Sequence, residues 1–285
     1  MDAKNELGQF IPLHYHHNML LDAARMGGFK AAIGQVVQPD AAVAELGGGT
    51  GVLSFFAAQQ ARKVYYVEYN PELVSEARRI LAANPNGERV ELIHGDARGF
   101  VPPEPIDIVI CEMLHVGLLR EKQMQVIDAF KRNYINKYGE PLPIFIPFAA
   151  IQAVQPVYHP FEFHGYRAAV PMFNDPYAEN PDLTALGDPV VYHQVLYAQP
   201  FDFCIEWNGT LPVTVDGTVN ALRFITKNLL AVEPETQAIT DWYNNYLVHP
   251  LETPIEVNAG DALEVRISYE TGAPLSALQP IVKKR

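Results

Sequence analysis

Short apolar runs alternate with amphipathic segments through the first half of the chain. The apolar runs have the length of buried strands, and the segments between them carry apolar residues at helical spacing. Asn70 followed by Pro71 is typical of a helix start, with an N-cap and then a proline at the first helical position. We predict strands over residues 41–46, 63–68, 89–94 and 106–111, and helices over residues 19–32, 52–60, 71–83 and 120–138.

The second half of the chain changes to a period of two. Apolar and polar side chains alternate over residues 263–270, which predicts a half-buried antiparallel strand. Sixteen of the 23 prolines lie from Pro141 onward, and a proline-rich stretch cannot form long helices. The pair Asp216-Gly217 separates apolar segments 211–215 and 219–226, so we predict a hairpin turn between them.

These two patterns predict two kinds of architecture in one chain. Alternating strands and helices indicate an α/β domain with a parallel sheet covered on both faces. The alternating, proline-rich part indicates a β-rich domain. We place the division near residue 150.

Composition and net charge argue against several classes of function. The chain has 285 residues, 48% of them hydrophobic, and a net charge of −12, which argues against a general affinity for nucleic acid and fits a cationic partner. Two cysteines exclude a disulfide framework and favour a cytoplasmic location. We expect no membrane span, no signal peptide in the polar segment 1–6 and no metal site, since the histidines near residue 15 lack partner spacing.

A glycine-rich loop joins the first predicted strand to its helix. Residues 45–51 read Glu-Leu-Gly-Gly-Gly-Thr-Gly, and glycines there let the backbone turn sharply close to a ligand. Glu68 ends the second strand, where a carboxylate can accept both hydroxyls of a ribose, and Asp96 follows the third strand. Together these residues resemble the class I S-adenosylmethionine methyltransferases, which implies a Rossmann-like domain.

Two glutamates follow the fourth strand at a distinctive spacing. Glu112 and Glu121 are nine residues apart, as in the double-glutamate loop of the protein arginine methyltransferases, which this chain resembles. Two carboxylates can grip the charged fork of a guanidinium and orient one nitrogen for in-line transfer. The alternative is that Glu112 contacts ligand in a general way and Glu121 is an ordinary acid at a helix N-terminus.

Two further segments resemble this family. Residues 16–25 resemble the family's lid helix, and residues 240–242 resemble its Thr-His-Trp loop. The resemblance implies a cofactor, S-adenosyl-L-methionine with S-adenosyl-L-homocysteine as product, and an acceptor pocket partly walled by Met19. The cofactor-binding residues that we predict are His16, Met19, Arg25, Glu45, Gly47, Gly49, Thr50, Gly51, Glu68, Asp96 and Ala97.

Several residues depart from the family pattern around the pocket. Asp241 stands where the family has a histidine that pairs with the lid aspartate, here Asp22. If the two aspartates face each other, one has a raised pKa or a substrate cation lies between them. We list both with Glu112 and Glu121 as catalytic candidates. Arg98 and His115 also depart from the pattern, as does the segment 10–15 before the lid.

The resemblance implies three regions and one main hypothesis. The regions are lid helices over residues 1–35, a cofactor-binding Rossmann-like domain over 36–150 and a barrel-like β-rich substrate domain over 151–285. Residues 161–190 are either a dimerisation arm, giving a homodimer, or an ordinary long loop. We expect an N-methyltransferase for a guanidino group of protein arginine, free arginine or a related metabolite. The alternatives are methylation of RNA or of a small amine or hydroxyl, and a non-catalytic cofactor-binding module.

Overall fold

A five-stranded parallel sheet organises the first half of the chain. The computed structural model describes residues 11–233 and 235–285. The sheet has the order β3-β2-β1-β4-β5, with every neighbouring pair parallel. Its strands are β1 (Ala42–Leu46), β2 (Lys63–Glu68), β3 (Val90–His94), β4 (Ile108–Cys111) and β5 (Ile144–Ile146).

Within the residues that the structure describes, five α-helices accompany this sheet. The helices are α1 (Leu13–Leu21), α2 (Ala23–Val36), α3 (Val52–Ala58), α4 (Pro71–Ala82) and α5 (Gln123–Tyr138). The predicted cap of α4 is confirmed, since the Asn70 side chain accepts a hydrogen bond from the Glu72 amide at 3.0 Å. The predictions for segments 1–6 and for Phe10 lie outside the described residues.

Two of the predicted helices have different boundaries in the structure. The single helix expected over residues 19–32 is two helices, because Asp22 leaves helical geometry and caps α2 through a 2.8 Å bond from the Arg25 amide. The helix expected from residue 120 begins only at Gln123, because Arg120 has a φ of 63°. Glu121 is therefore not an acid in the first turn of this helix.

The second half folds into antiparallel sheets. The larger sheet has the path β10-β6-β13-β15-β9, with β11 beside β6 and β14 beside β13, and a smaller sheet has the order β12-β16-β17. The strands are β6 (Ala149–Tyr158), β7 (Glu162–Phe163), β8 (Tyr166–Arg167), β9 (Met172–Asn174), β10 (Thr184–Ala185), β11 (Val190–Leu196), β12 (Cys204–Pro212), β13 (Gly217–Val232), β14 (Ile239–Tyr243), β15 (Tyr246–Val257), β16 (Ala262–Glu270) and β17 (Ile281–Lys284). The predicted fold class is confirmed: a Rossmann-like sheet is followed by a β-rich part.

One predicted strand pairing in this half is wrong. β16 does alternate between buried and exposed positions, as expected. The Asp216-Gly217 pair, however, does not join a hairpin, because β12 pairs with β16 while β13 pairs with β6 and β15. Tertiary packing decides this: the buried Leu211 of β12 faces Leu263 of β16 within one apolar cluster.

Much of the segment between residues 161 and 190 forms short strands that pair within the same chain. β7 and β8 form a small hairpin, β9 adds to the edge of β15, and β10 pairs with β6. Phe163 and Tyr166 on the hairpin are exposed. Among the described residues, no helix is both long enough and apolar enough to cross a membrane.

Candidate active site

A cavity of about 480 Å³ lies at the carboxyl ends of the parallel strands. The loops after β1, β2, β3 and β4 all contribute to its lining, which is where ligands of open α/β sheets bind. Helix α1, helix α2 and the loops of the second half close the remaining sides. All of the predicted site residues line this cavity except Gly51 and Asp241.

The glycine loop passes close to neighbouring side chains as it turns. Gly47 and Gly49 have φ of 79° and 54°, a region that favours glycine. A Cβ at Gly48 would lie 2.2 Å from the ring of Tyr66, whose hydroxyl donates a hydrogen bond to the Gly49 carbonyl at 2.6 Å. Gly51 has φ of 82° and begins α3, where it faces Leu81 rather than the cavity. The positive φ shows that Gly51 is needed for the turn, and its contact with the cofactor stays a prediction.

The carboxylate of Glu68 is held in place by main-chain amides. Its Oε2 accepts from the Gly49 amide at 3.1 Å and its Oε1 from the Asn70 amide at 2.7 Å. These two bonds fix the acid at the end of β2 against the glycine loop. The side chain is thereby presented to the cavity in one orientation.

Glu45 lies at the buried end of β1. It accepts hydrogen bonds from the amide of Ser54, at 2.8 Å, and from the hydroxyl of Ser54. Burial raises the pKa of Glu45 to about 8, although the bonds from Ser54 and the nearby Glu68 also act on it. The side chain lines the cavity, and its protein partners tie α3 to the sheet.

Asp96 and Ala97 line the cavity after β3. Asp96 forms an ion pair with Arg98 at 2.8 Å and accepts from the Arg98 amide at 2.9 Å. Burial alone would raise the pKa of Asp96, but the hydrogen bonds from Arg98 outweigh it and lower the pKa. Asp96 therefore stays ionised beside the cavity.

A guanidinium from the chain itself lies with the two glutamates. Arg25 of α2 donates to Oε2 of Glu112, and its guanidinium is also attracted by Glu121. The side chains of Arg25 and Glu112 are only 13% and 9% exposed. Burial raises the pKa of Glu121, while Arg25 and Arg120 act to lower it. Both glutamates thus act on the same buried guanidinium.

The loop that carries the glutamates is fixed by the second half of the chain. The Gly117 amide donates to Thr226 Oγ1 at 2.7 Å, and the Tyr269 hydroxyl donates to the Gly117 carbonyl at 2.9 Å. The Arg120 amide donates to the Ala273 carbonyl at 2.7 Å. Residues 118 and 120 have φ of 55° and 63°, an uncommon backbone for non-glycine residues. These contacts position Glu121 from outside its own domain.

The two aspartates predicted to face each other are engaged separately. Asp22 lines the cavity and caps α2. Asp241 forms an ion pair with Lys227 at 2.7 Å, and this bond raises the pKa of Lys227. The lysine satisfies the charge of Asp241 on the neighbouring strand, so each aspartate has a partner of its own, and their catalytic role stays a prediction.

Sequence reasoning missed part of the lining. The missed residues include Met113, Phe173, Trp242 and Asn244, and His115 was noted only as a departure from the family pattern. Trp242 lies under the Arg25 guanidinium, 5.8 Å from ring centre to Cζ. Burial lowers the pKa of His115 to about 4, so the imidazole is neutral. Position 242 had a signal in the loop resemblance, whereas Phe173 comes from a segment with no motif.

Residues 43–134 match the family model described as a methyltransferase domain. This stretch of the chain therefore resembles a methyltransferase domain. This match covers β1 through most of α5, which includes the glycine loop and both glutamates. The fit agrees with S-adenosylmethionine as cofactor, because the residues predicted to hold it, apart from Gly51, line one cavity.

Curated relatives extend this resemblance. An uncharacterised protein of Methanocaldococcus jannaschii is 27% identical over 93% of this chain and 95% of its own. A probable histone-arginine methyltransferase CARM1 of Oryza sativa subsp. indica is 33% identical over 50% of this chain, which is 27% of that protein. The similarity to the rice enzyme therefore concerns part of each molecule.

Solved structures show the same fold over nearly the whole chain. The PRMT1 enzyme-prozyme heterotetrameric complex of Trypanosoma brucei with AdoHcy has a chain that superposes with a TM-score of 0.72, at 18% identity, over 95% of this chain and 96% of that one. The chain thus resembles arginine methyltransferases in sequence over half of its length and in fold over nearly all of it, and residues 43–134 match a methyltransferase domain.

Proposed function

We propose that this protein is an S-adenosylmethionine-dependent N-methyltransferase that acts on a guanidino group. One observation carries the proposal: Glu112 and Glu121 line the same cavity as the glycine loop, and the Arg25 guanidinium already lies with them. A site that accommodates one guanidinium between carboxylates has the charge and the donor–acceptor match for another.

The cofactor half of the site has the chemistry that S-adenosylmethionine requires. Glu68 would accept the ribose hydroxyls, Asp96 and the Ala97 backbone would lie beside the adenine, and the glycine loop would let the ligand approach the backbone. His16 would contact the cofactor from the lid, and Arg25 would bind its carboxylate. The bound cofactor supplies an activated methyl group. The trypanosome relative, whose structure contains AdoHcy, supports this assignment.

The acceptor half would bind and orient the guanidino group. Glu112 and Glu121 would each accept hydrogen bonds from the fork of N–H donors and fix one nitrogen toward the methyl group. The buried setting excludes water and strengthens these charge-assisted bonds. Burial raises the pKa of Glu121, which favours this carboxylate as a group that takes a proton from the acceptor.

A labelled-cofactor experiment tests this function. The protein is incubated with methyl-labelled S-adenosylmethionine and either free arginine, an arginine-rich peptide or bulk RNA, and the products are analysed by mass. We expect the label on a guanidino nitrogen and none on RNA, in keeping with the net charge of −12. Label on RNA, or on an amine or hydroxyl in place of the guanidino group, would contradict the proposal.

A titration separates the enzyme from a non-catalytic binding module. Calorimetry with S-adenosylmethionine should give saturable heat for the natural protein. Glu68→Ala should weaken binding by roughly tenfold or more, since hydrogen bonds to a charged group contribute about 1.5–3 kcal/mol each. Binding without any methyl transfer to the acceptors above would favour the module.

The oligomeric state stays a prediction. Residues 161–190 expose Phe163 and Tyr166 on a short hairpin, which is available to a second copy of the chain. A homodimer is expected if this hairpin acts as an arm. Light scattering on the natural protein and on a Phe163→Glu, Tyr166→Glu double variant tests it, with a monomer in the natural protein as the contrary result.

A further inference from the structure

An aromatic pair lines the cavity beside the two glutamates. His115 lies in the glutamate loop and Phe173 lies on β9, and their ring centres are 5.5 Å apart with the ring planes at 87°. This edge-to-face geometry is a favourable arrangement for two aromatic rings. Phe173 is 44% exposed, which places this pair where the cavity meets solvent.

Hydrogen bonds hold the main chain of the loop on both sides of His115. The Leu114 carbonyl, one residue earlier, accepts from Asn244 Nδ2 at 3.1 Å, and Asn244 is itself bound by Asn228 Nδ2 at 2.9 Å. Two residues later, the Gly117 amide is bound to Thr226. These bonds fix the main chain on both sides of His115, and the ring itself contacts Phe173.

The main chain that carries Phe173 is also held by hydrogen bonds. Phe173 is in register with Leu247 in the ladder between β9 and β15. Four residues further on, the Tyr177 hydroxyl accepts a hydrogen bond from the Tyr243 amide at 3.0 Å. The main chain that carries Phe173 is therefore held by strand pairing at residue 173 and by a hydrogen bond at residue 177.

The charge of this wall suits a cationic acceptor. Burial lowers the pKa of His115 to about 4, so the imidazole carries no charge that would repel a guanidinium near neutral pH. The charged groups that act on it are few: Arg120 disfavours its protonation further. A cation can also contact an aromatic face favourably on its way to the glutamates.

We propose that His115 and Phe173 form a fixed aromatic wall that determines acceptor specificity, admitting a free guanidino compound such as arginine and disfavouring an arginine within a peptide chain. This inference rests on the proposed function. The reason is steric: a free acceptor enters end-on past two fixed rings, whereas a peptide must also place main chain on both sides of the reacting side chain.

The test compares two acceptors in three variants. The acceptors are L-arginine and an end-blocked Gly-Gly-Arg-Gly-Gly peptide, and the variants are His115→Ala, Phe173→Ala and the control Ile281→Ala, an exposed apolar residue outside both the cavity lining and the proposed arm. KM and kcat are measured separately for each acceptor, together with the cofactor Kd.

We expect the natural protein and Ile281→Ala to prefer arginine. In His115→Ala and Phe173→Ala that preference should fall by roughly tenfold, the size of effect that a single pocket contact has on specificity. The change should come through a lower KM for the peptide, with the cofactor Kd within about twofold of the natural value.

Two outcomes would overturn the inference and can be told apart. If guanidino acceptors are methylated but the ratio between arginine and peptide is unchanged in both wall variants, or favours the peptide in the natural protein, the wall does not set specificity and the proposed function survives. If the cofactor binds but neither acceptor is methylated by any variant, the proposed function fails together with the wall.

Discussion

The two halves of the cavity are built differently. Most of the proposed cofactor half comes from a short stretch, residues 45–97, whose site residues lie at or just after the carboxyl ends of parallel strands. The acceptor half draws on α2, the glutamate loop, β9 and the loop after β14, which are far apart in the sequence. Local motifs therefore suffice for the first half, whereas the second depends on how the β-rich part packs against the sheet.

The two halves also differ in which of their residues lie within the match to the methyltransferase domain. The matched methyltransferase domain contains the whole glycine loop and both glutamates. Asp241 lies beyond that match, as does Phe173, and His115 lies within it as a departure from the family pattern.

Removing the charge of either glutamate should abolish turnover. Glu112→Gln and Glu121→Gln each remove one carboxylate from the guanidinium, so kcat should fall by roughly a hundredfold or more, as for loss of other preorganised electrostatic contacts. Cofactor affinity in Glu121→Gln should stay nearly unchanged by calorimetry. The matched control is Glu88→Gln, an exposed acid away from the cavity lining, which should keep natural activity. Equal activity of Glu121→Gln and the natural protein would remove guanidinium binding by this residue from the mechanism.

Filling the glycine loop should destabilise the fold of the cofactor half. Gly48→Ala would place a Cβ 2.2 Å from the Tyr66 ring, and the clash should lower the free energy of unfolding by about 1–3 kcal/mol in urea titrations. Gly95→Ala is the control, because nothing lies within 4 Å of its added Cβ. Equal losses in the two variants would mean that Tyr66 does not constrain the loop.

The stability of the free protein should depend on the protonation of Glu45. Burial raises its folded-state pKa to about 8, above its ordinary value of 4.5, so the folded state holds this proton more tightly than the unfolded chain. That stabilisation is complete below about pH 4.5 and is lost as pH rises through about 8, with a slope of up to about 1.4 kcal/mol per pH unit between them.

A neutral substitute checks the sign of this dependence. Glu45→Gln should flatten the decline in unfolding free energy between pH 5 and 8, measured by urea titration at several pH values. The comparison is made without cofactor, so that binding does not contribute. A natural protein that becomes more stable over this range, with the slope kept in Glu45→Gln, would contradict the role of Glu45.

The smallest effect is expected at Asp241. This residue pairs with Lys227 and is absent from the cavity lining, so Asp241→Asn should change kcat and KM by less than about threefold. The ion pair is about one-third exposed on both sides, and such pairs contribute about 0–1 kcal/mol to stability. A loss of activity comparable with that of Glu121→Gln would restore Asp241 to the catalytic group.

Much of the parallel sheet and the glycine loop could be predicted from the sequence, because interactions between neighbouring residues determine these parts. Strand β2 and the cap at Asn70 depend on neighbouring residues, so pattern and propensity define them. The hairpin expected at Asp216-Gly217 was wrong because strand partners are selected by packing over long range. The start of α5 was misplaced because the left-handed backbone at Arg120 is imposed by Ala273, which lies 153 residues later in the chain.

On the acceptor side, the sequence likewise predicted mainly those residues that lie close together along the chain. The spacing of Glu112 and Glu121 was readable because both lie on one loop. No pattern in the sequence indicated that Lys227 would pair with Asp241, since that contact follows from the register of β13 and β14. Phe173 was missed for a similar reason, because its place depends on the pairing of β9 with β15.

The central claim is that two buried carboxylates select a cationic guanidino acceptor. Its most direct test is methyl transfer from labelled cofactor to arginine compared with citrulline, which has nearly the same shape but an uncharged urea group. The account predicts label on arginine and a loss of roughly a hundredfold or more with citrulline, because the charge-assisted bonds to Glu112 and Glu121 are lost. Equal labelling of the two compounds would contradict it.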